Sequence, residues 1–318
     1  MVKKLKIGTD CSGIEAPIIA LEELDINFDH VFSCDNDPLI KENIHHHFKP
    51  KYYYDDILNR DNSKLQDIDI YFCGFPCQSF STAGKREGFE KPNDEGIIFF
   101  SCWDLIKKKN PKIFVLENVK GLITHEKGET FEIILEQLEK LKKYNIFYEV
   151  LNTCDYNLPQ RRERIFIVGI RKDIQKKEFN FPKPMKLTNN LDDILLDKKK
   201  YKKDILTPAR KEVVKNKKKK YNIKPNENWI INLNASFPYA TTLKDLSPCL
   251  ITTCNLFYLT KYNRFLTTRE CMRLQGFPDD YELITESKNK YYKQVGNSIS
   301  VNILCYLLIE IFKSCDWW

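Results

Sequence analysis

The stretch Ile70-Tyr71-Phe72-Cys73-Gly74-Phe75-Pro76-Cys77-Gln78-Ser79-Phe80-Ser81 decides how this chain reads. Its first four residues form a short β-type run that stops at a glycine, so they predict a buried strand rather than a helix. Gly74 then lets a ligand approach the backbone closely, and Pro76 fixes the chain beside Cys77. On either side, further β-type runs lie at 5–9, 30–34, 113–117 and 164–170. Helical patterns separate them at 14–23, 38–47, 99–108 and 130–143. Strands separated by helices predict right-handed crossovers and an α/β fold with a doubly wound, mostly parallel sheet. Ligands of such sheets bind at the carboxyl ends of the strands.

Polar residues gather where that rule puts them. The first strand runs into Asp10-Cys11-Ser12-Gly13-Ile14-Glu15-Ala16, a glycine turn at a helix start that suits a nucleotide-like ligand. Ser33-Cys34-Asp35-Asn36-Asp37 ends the second strand and offers a carboxylate to a ribose diol. Asp55-Asp56-Ile57 could read an adenine amino group. Each is also compatible with an ordinary solvated turn, and the series favours an adenosine ligand. A thiol at Cys77 is a candidate nucleophile, although a structural cysteine is the commoner use of such a residue. Glu117-Asn118-Val119 ends the next strand, and Gln160-Arg161-Arg162-Glu163-Arg164 opens the last one with guanidinium groups suited to carbonyl or phosphate oxygens. A thiol facing a carboxylic acid is what addition to a heteroaromatic ring requires.

The later part of the chain differs. Residues 170–275 contain no glycine, and 171–266 are rich in proline, lysine and asparagine with weak periodicity. Net charge is +7, yet residues 198–220 hold twelve bases against two acids, a surplus of +10 that leaves −3 for the remainder. A polyanion-binding face is therefore expected there, with a solvated lysine loop as the alternative. Thr267-Thr268-Arg269-Glu270 predicts a capped helix start, and 301–312 an apolar closing helix. Eleven cysteines without a Cys-x-x-Cys pair suggest reduced thiols in a cytoplasmic protein and no metal site. The His45-His46-His47 triplet lies on a helix, where adjacent positions point apart. No apolar run approaches the roughly 20 residues of a membrane span, and no signal peptide is expected.

In order and spacing, these strings resemble the cytosine-5 DNA methyltransferases of the small restriction-modification or phage type. The strings that carry the resemblance are Gly74-Phe75-Pro76-Cys77-Gln78, Glu117-Asn118-Val119, Gln160-Arg161-Arg162-Glu163-Arg164, the 269–278 run Arg-Glu-Cys-Met-Arg-Leu-Gln-Gly-Phe-Pro and Gln294-Val295-Gly296-Asn297-Ser298. It covers residues 5–171 and about 264–312. It implies a Rossmann-like fold that uses S-adenosyl-L-methionine and releases S-adenosyl-L-homocysteine. It also implies covalent attack by Cys77 on C6 of a flipped-out cytosine, assisted by Glu117, with Arg164 and Arg162 at the ring. The cofactor positions implied are Cys11, Ser12, Gly13, Ile14, Asp35, Asn36, Asp56, Ile57, Gly74, Pro76, Ile98, Asn297 and Ile299. Cys11 and Glu15 depart from the family's usual aromatic and glycine, and Glu95 from its arginine.

By the same resemblance, a catalytic and cofactor domain spans 1–180, a smaller irregular target-recognition domain 181–290, and 291–318 returns to the first. Gln78, Ser81 and Lys85 fall in a loop expected to close over double-stranded DNA. Lys217, Lys218, Lys219 and Lys220 are expected to meet phosphates, and Trp229, Phe237 and Tyr239 to form the small domain's core. The implied protein is a monomer, with a cognate restriction endonuclease as a candidate partner. A tRNA cytosine-5 methyltransferase typically carries Pro-Pro-Cys-Gln, against Phe75-Pro76-Cys77 here. A non-catalytic nucleic-acid-binding homologue would lack the nucleophile or its carboxylate, and both are present.

Overall fold

The computed structural model describes residues 4–76, 97–197, 201, 203–282, 284 and 287–318. Two compact units divide the chain: Met1–Leu151, Glu163–Lys183 and Leu304–Trp318 form the first, Asn152–Arg162 and Pro184–Ile303 the second. Residues 152–162 and 291–303 thus belong to the second unit, whose longer segment begins at Pro184.

The first unit is built on a seven-stranded sheet in the order β3-β2-β1-β4-β5-β7-β6. Its strands are β1 (Leu5–Asp10), β2 (Phe28–Cys34), β3 (Tyr52–Tyr54), β4 (Ile70–Cys73), β5 (Ile113–Val119), β6 (Tyr144–Asn152) and β7 (Glu163–Arg171). The pairs from β3 through β5 are parallel, so their carboxyl ends share one edge. β7 runs antiparallel to β5 and places Arg164 opposite Val119 at that same edge. Between the strands lie α1 (Ala16–Glu23), α2 (Pro38–His47), α3 (Ile97–Lys109) and α4 (Glu129–Glu139). α2 starts at Asp37, whose carboxylate accepts from the Leu39 amide, with Pro38 preset for the first turn. One face of the sheet buries Tyr71, Phe114 and Leu116 against Phe99, Cys102, Leu105 and Ile106 of α3 and Ile134 and Leu138 of α4.

The second unit is more regular than its composition suggests. After the short α5 (Leu191–Ile194), the lysine run forms α6 (Pro208–Tyr221). Thr207 caps it through the Arg210 amide, Pro208 opens it, and Asn222 closes it in a left-handed conformation. A four-stranded antiparallel sheet follows in the order β11-β10-β8-β9, from β8 (Trp229–Asn232), β9 (Thr242–Lys244), β10 (Phe257–Leu259) and β11 (Arg264–Phe265). Leu206, Val214, Ile231, Leu233, Ala240 and Tyr258 fill its small core. The expected core aromatics are corrected: Phe237 is 39% and Tyr239 80% exposed, and Trp229 is half-buried against Tyr221. α7 (Thr268–Leu274) has the expected capping box between Thr267 and Glu270. Glu270 also forms a buried two-pronged pair with Arg264, at 2.6 and 2.8 Å.

α8 (Lys288–Asn297) and α9 (Val301–Ser314) close the chain. The segment Asn289–Ser314 is long and apolar enough to cross a membrane by composition, but 61% of its most apolar window is buried. Its helical hydrogen bonding is interrupted at residues 298–300. From Leu304 onward α9 buries Leu307, Leu308, Ile311 and Phe312 at helical spacing, and the Cys305 thiol reaches the Ala20 carbonyl of α1 at 3.7 Å.

Candidate active site

The carboxyl edge of the first unit's sheet carries the residues expected to handle an adenosine ligand. Gly13 sits in the turn after β1 with φ +53°, a conformation glycine adopts without strain. A Cβ there would meet nothing within 4 Å, so open space lies over the turn. The Gly13 amide donates to Asp35 Oδ2 at 2.9 Å and the Asp37 amide to Asp35 Oδ1 at 3.0 Å. Asp35 is thereby held at the end of β2 with lone pairs remaining for a diol. Burial pushes its pKa up, partly offset by those two amide donors. Asn36 beside it is exposed.

Ser12 and Glu15 brace this turn from beneath. Ser12 Oγ lies 2.7 Å from Thr9 Oγ1 and accepts from the Cys34 amide at 3.0 Å. Glu15 is fully buried and left-handed, where a glycine would be unstrained. Its Oε1 accepts from the Thr9 and Ser33 hydroxyls, each at 2.7 Å, so the departure from glycine ties β1 to β2. Ile14 is buried, and Cys11 and Ile98 pack against the sheet core. Past β3, Asp56 accepts from the Leu58 amide at 2.8 Å and the Asn59 side chain at 2.6 Å, and Ile57 is buried. Gly74 and Pro76 follow β4. A carboxylate acceptor beside an open glycine turn, with apolar Ile57 and Ile98 on neighbouring segments, fits an adenosine-bearing cofactor. Asn297 and Ile299 belong to the second unit, the former exposed and the latter half-buried.

Cys77, Gln78, Ser81 and Lys85 lie outside the described residues, as do Glu95, Lys198 to Lys200 and Lys202. The Asn118 side chain donates to the Phe75 carbonyl at 2.9 Å, joining the end of β5 to the segment after β4. The sequence alone gives Asn118 no role; its place between Glu117 and Val119 is the available signal. Glu117 Oε1 lies 3.2 Å from Arg164 Nε, with the two side chains 10% and 15% exposed. Nearby, the Cys102 thiol meets Cys73 at 3.3 Å, and burial holds the Cys73 pKa well above its ordinary value, so that thiol stays protonated.

Arg162 makes three backbone contacts within its own unit. It is buried in the second unit, donating to the carbonyls of Leu250 at 2.7 Å, Gly296 at 3.2 Å and Ser298 at 2.7 Å. Gln160, also fully buried, donates to the Leu274 carbonyl and accepts from the Leu250 amide. Gly296 is required by close approach, since a Cβ would run into the Ile251 backbone. Lys217, expected to meet phosphates, is engaged inside its own unit. Its side chain is buried, its Nζ donates to the Pro238 carbonyl at 2.9 Å, and it lies 5.3 Å from the Phe237 ring centre. Lys219 and Lys220 are exposed and Lys218 half-buried.

The family model for C-5 cytosine-specific DNA methylases matches residues 10–313. The Type II methyltransferase M.Bsp6I of Bacillus sp. (strain RFL6) is 38% identical over 283 residues, covering 84% of this chain and 86% of its own. M.HhaI of Haemophilus parahaemolyticus, also a Type II methyltransferase, is 32% identical over 269 residues, 82% of this chain and 81% of its own. Among solved structures, the Dnmt2 methyltransferase of S. pombe superposes with a TM-score of 0.65 at 18% identity, over 98% of this chain and 99% of that one, a likeness of fold. The chain belongs to the C-5 cytosine-specific DNA methylase family and is a DNA cytosine-5 methyltransferase.

Proposed function

We propose that this enzyme methylates C5 of a flipped-out cytosine within one short double-stranded DNA sequence, through a covalent bond between Cys77 and C6. The observation that carries the reading is the Glu117–Arg164 pair at the sheet edge, with Asn118 held to the Phe75 carbonyl two residues before Cys77 in sequence. C5 of cytosine is a weak nucleophile. Addition of the Cys77 thiolate to C6 forms a C–S bond and leaves C5 enamine-like. Glu117 hydrogen-bonds N3 and the exocyclic amine, assisting as an acid, while Arg164 holds O2 and the charge that develops there. Asp35, Asp56, Ile57 and the Gly13 turn would hold S-adenosylmethionine, whose sulfonium methyl group C5 would take, forming the C5–methyl bond as the sulfur–methyl bond breaks to give S-adenosylhomocysteine. Loss of the C5 proton then reforms the double bond and expels Cys77.

Arg162 and Gln160 fix their own segment of the second unit through the carbonyls of Leu250, Gly296, Ser298 and Leu274. The second unit reads the DNA, with Lys218 to Lys220 set against phosphates, which position without specifying. Bisulfite sequencing of DNA from a host expressing the protein tests the reading. Methylation in one short context supports it; unmodified DNA together with methylated tRNA contradicts it.

A further inference from the structure

Asp10 and Arg60 form a buried ion pair that none of the chemistry above uses. The guanidinium meets Asp10 with both prongs, at 2.6 and 2.7 Å, with side chains 3% and 0% exposed. Tyr71 adds a third hydrogen bond to Asp10 at 2.7 Å. Arg60 lies over the rings of Phe32 and Tyr54, 5.1 and 5.2 Å from their centres. Its Nε donates to Asn62 at 3.1 Å, and Asn62 in turn donates to Asp104 and the Ser101 carbonyl of α3.

The place of this pair matters more than its strength. Asp10 is the last residue of β1, directly before the Cys11–Gly13 turn, and Arg60 stands four residues after Asp56. The hydrogen bonds of Asp56 itself stay within its own loop, to Leu58 and Asn59. Well-packed apolar residues would serve stability as well as a buried ion pair, whereas a planar fork on a carboxylate fixes one geometry. Through Asn62 the same network reaches α3, whose first turn carries Ile98.

We propose that Arg60 is a positioning residue for the cofactor: its fork on Asp10 sets the spacing between the Gly13 turn and the Asp56–Ile57 loop. This rests on reading that edge as the S-adenosylmethionine site. Lysine keeps the charge at position 60 but cannot grip both carboxylate oxygens. In the full-length Arg60→Lys enzyme, S-adenosylhomocysteine binding by calorimetry should weaken about tenfold or more. The KM for S-adenosylmethionine should rise in parallel, with kcat at saturating cofactor within about threefold of wild type.

Because a lone buried charge could unfold the chain, the paired Asp10→Asn, Arg60→Gln variant removes both charges and should show the same split. Arg264→Lys disturbs the comparably buried pair with Glu270 in the second unit, and should lower the thermal midpoint without changing S-adenosylhomocysteine affinity. Folded Arg60 variants that bind within threefold of wild type would overturn the proposal. So would losses of affinity matched by equal losses of kcat, or an equal loss of affinity in Arg264→Lys. Wild-type enzyme that binds no S-adenosylhomocysteine at all would instead sink the cofactor site itself.

Discussion

Arg164 Nε stands 3.2 Å from Glu117 Oε1, joining β7 to β5 across their antiparallel pairing at the sheet's carboxyl edge. The antiparallel course of β7 is what makes the pair possible, since it brings the beginning of one strand beside the end of another. On the proposed function, this carboxyl group and guanidinium would meet the base as a preorganised unit, at little cost in reorganisation. Arg164→Ala should lower kcat by about 10²–10³, the size of a lost oxyanion donor. Arg164→Lys should recover only part of this, because an ammonium is a point charge without the fork. Steady-state methyl transfer to a defined duplex measures both.

Asp35 should make cofactor binding sensitive to acid. Its pKa is raised by burial, so it takes up a proton at higher pH than an ordinary aspartate. The ionised form is the better acceptor for a diol, and affinity for S-adenosylhomocysteine should fall as pH drops through that raised value. Asp35→Ala should bind about tenfold more weakly or worse at neutral pH, the equivalent of one hydrogen bond to a charged group. It should also lose this part of the pH dependence. Calorimetric titration across the acid range checks both outcomes.

The lysines of α6 should separate into two classes. Neutralising Lys218, Lys219 and Lys220 should weaken binding to all duplexes about equally, and removing each phosphate-binding charge should lower the log–log salt slope by roughly 0.9. Lys217→Ala should instead destabilise the fold by about 1–3 kcal/mol, because the Pro238 carbonyl loses its donor and Phe237 its cation. Its salt slope should stay near wild type. Filter binding at graded salt and thermal denaturation distinguish the two.

Arg162→Ala should be a stability variant first. Three backbone carbonyls lose a shared charged donor, at a cost of about 3 kcal/mol. The loss should appear as a lowered thermal midpoint. Arg162→Lys should restore only part of it, since one ammonium cannot reach three divergent acceptors as a guanidinium does.

Much of the first unit was legible because its strands are short, buried and punctuated by glycine or acid, and each observed β1, β2, β4, β5 and β7 overlaps an expected run. The two strands without a forecast, β3 and β6, are the edge strands of the sheet. One has only three residues, and the other is mostly exposed or half-buried, so neither shows a clean apolar pattern. The helix of the α6 lysines was not forecast because charge hides periodicity; the cap at Thr207 and the buried Val214 held the helical signal. Arg162 and Arg164 lie two residues apart and look alike in sequence, yet one grips carbonyls of the second unit and the other a carboxylate of the first. Asp10 and Arg60 are fifty residues apart, and no local pattern links them.

The proposed function stands or falls on covalent catalysis at Cys77 with Glu117 as its acid. It is tested most directly with duplex DNA carrying 5-fluorocytosine at the target position, incubated with S-adenosylmethionine and resolved under denaturing conditions. Fluorine at C5 blocks the final proton loss, so the wild-type enzyme should remain bonded to the DNA, with the adduct mapped by mass spectrometry to Cys77. Cys77→Ser should give no adduct, since a hydroxyl is far less ionised than a thiol near neutral pH. Glu117→Gln should trap about 10²-fold more slowly or worse, having lost its acid. An adduct formed equally well by Cys77→Ser, or mapped to Cys73 or Cys102, would rule out Cys77 as the nucleophile.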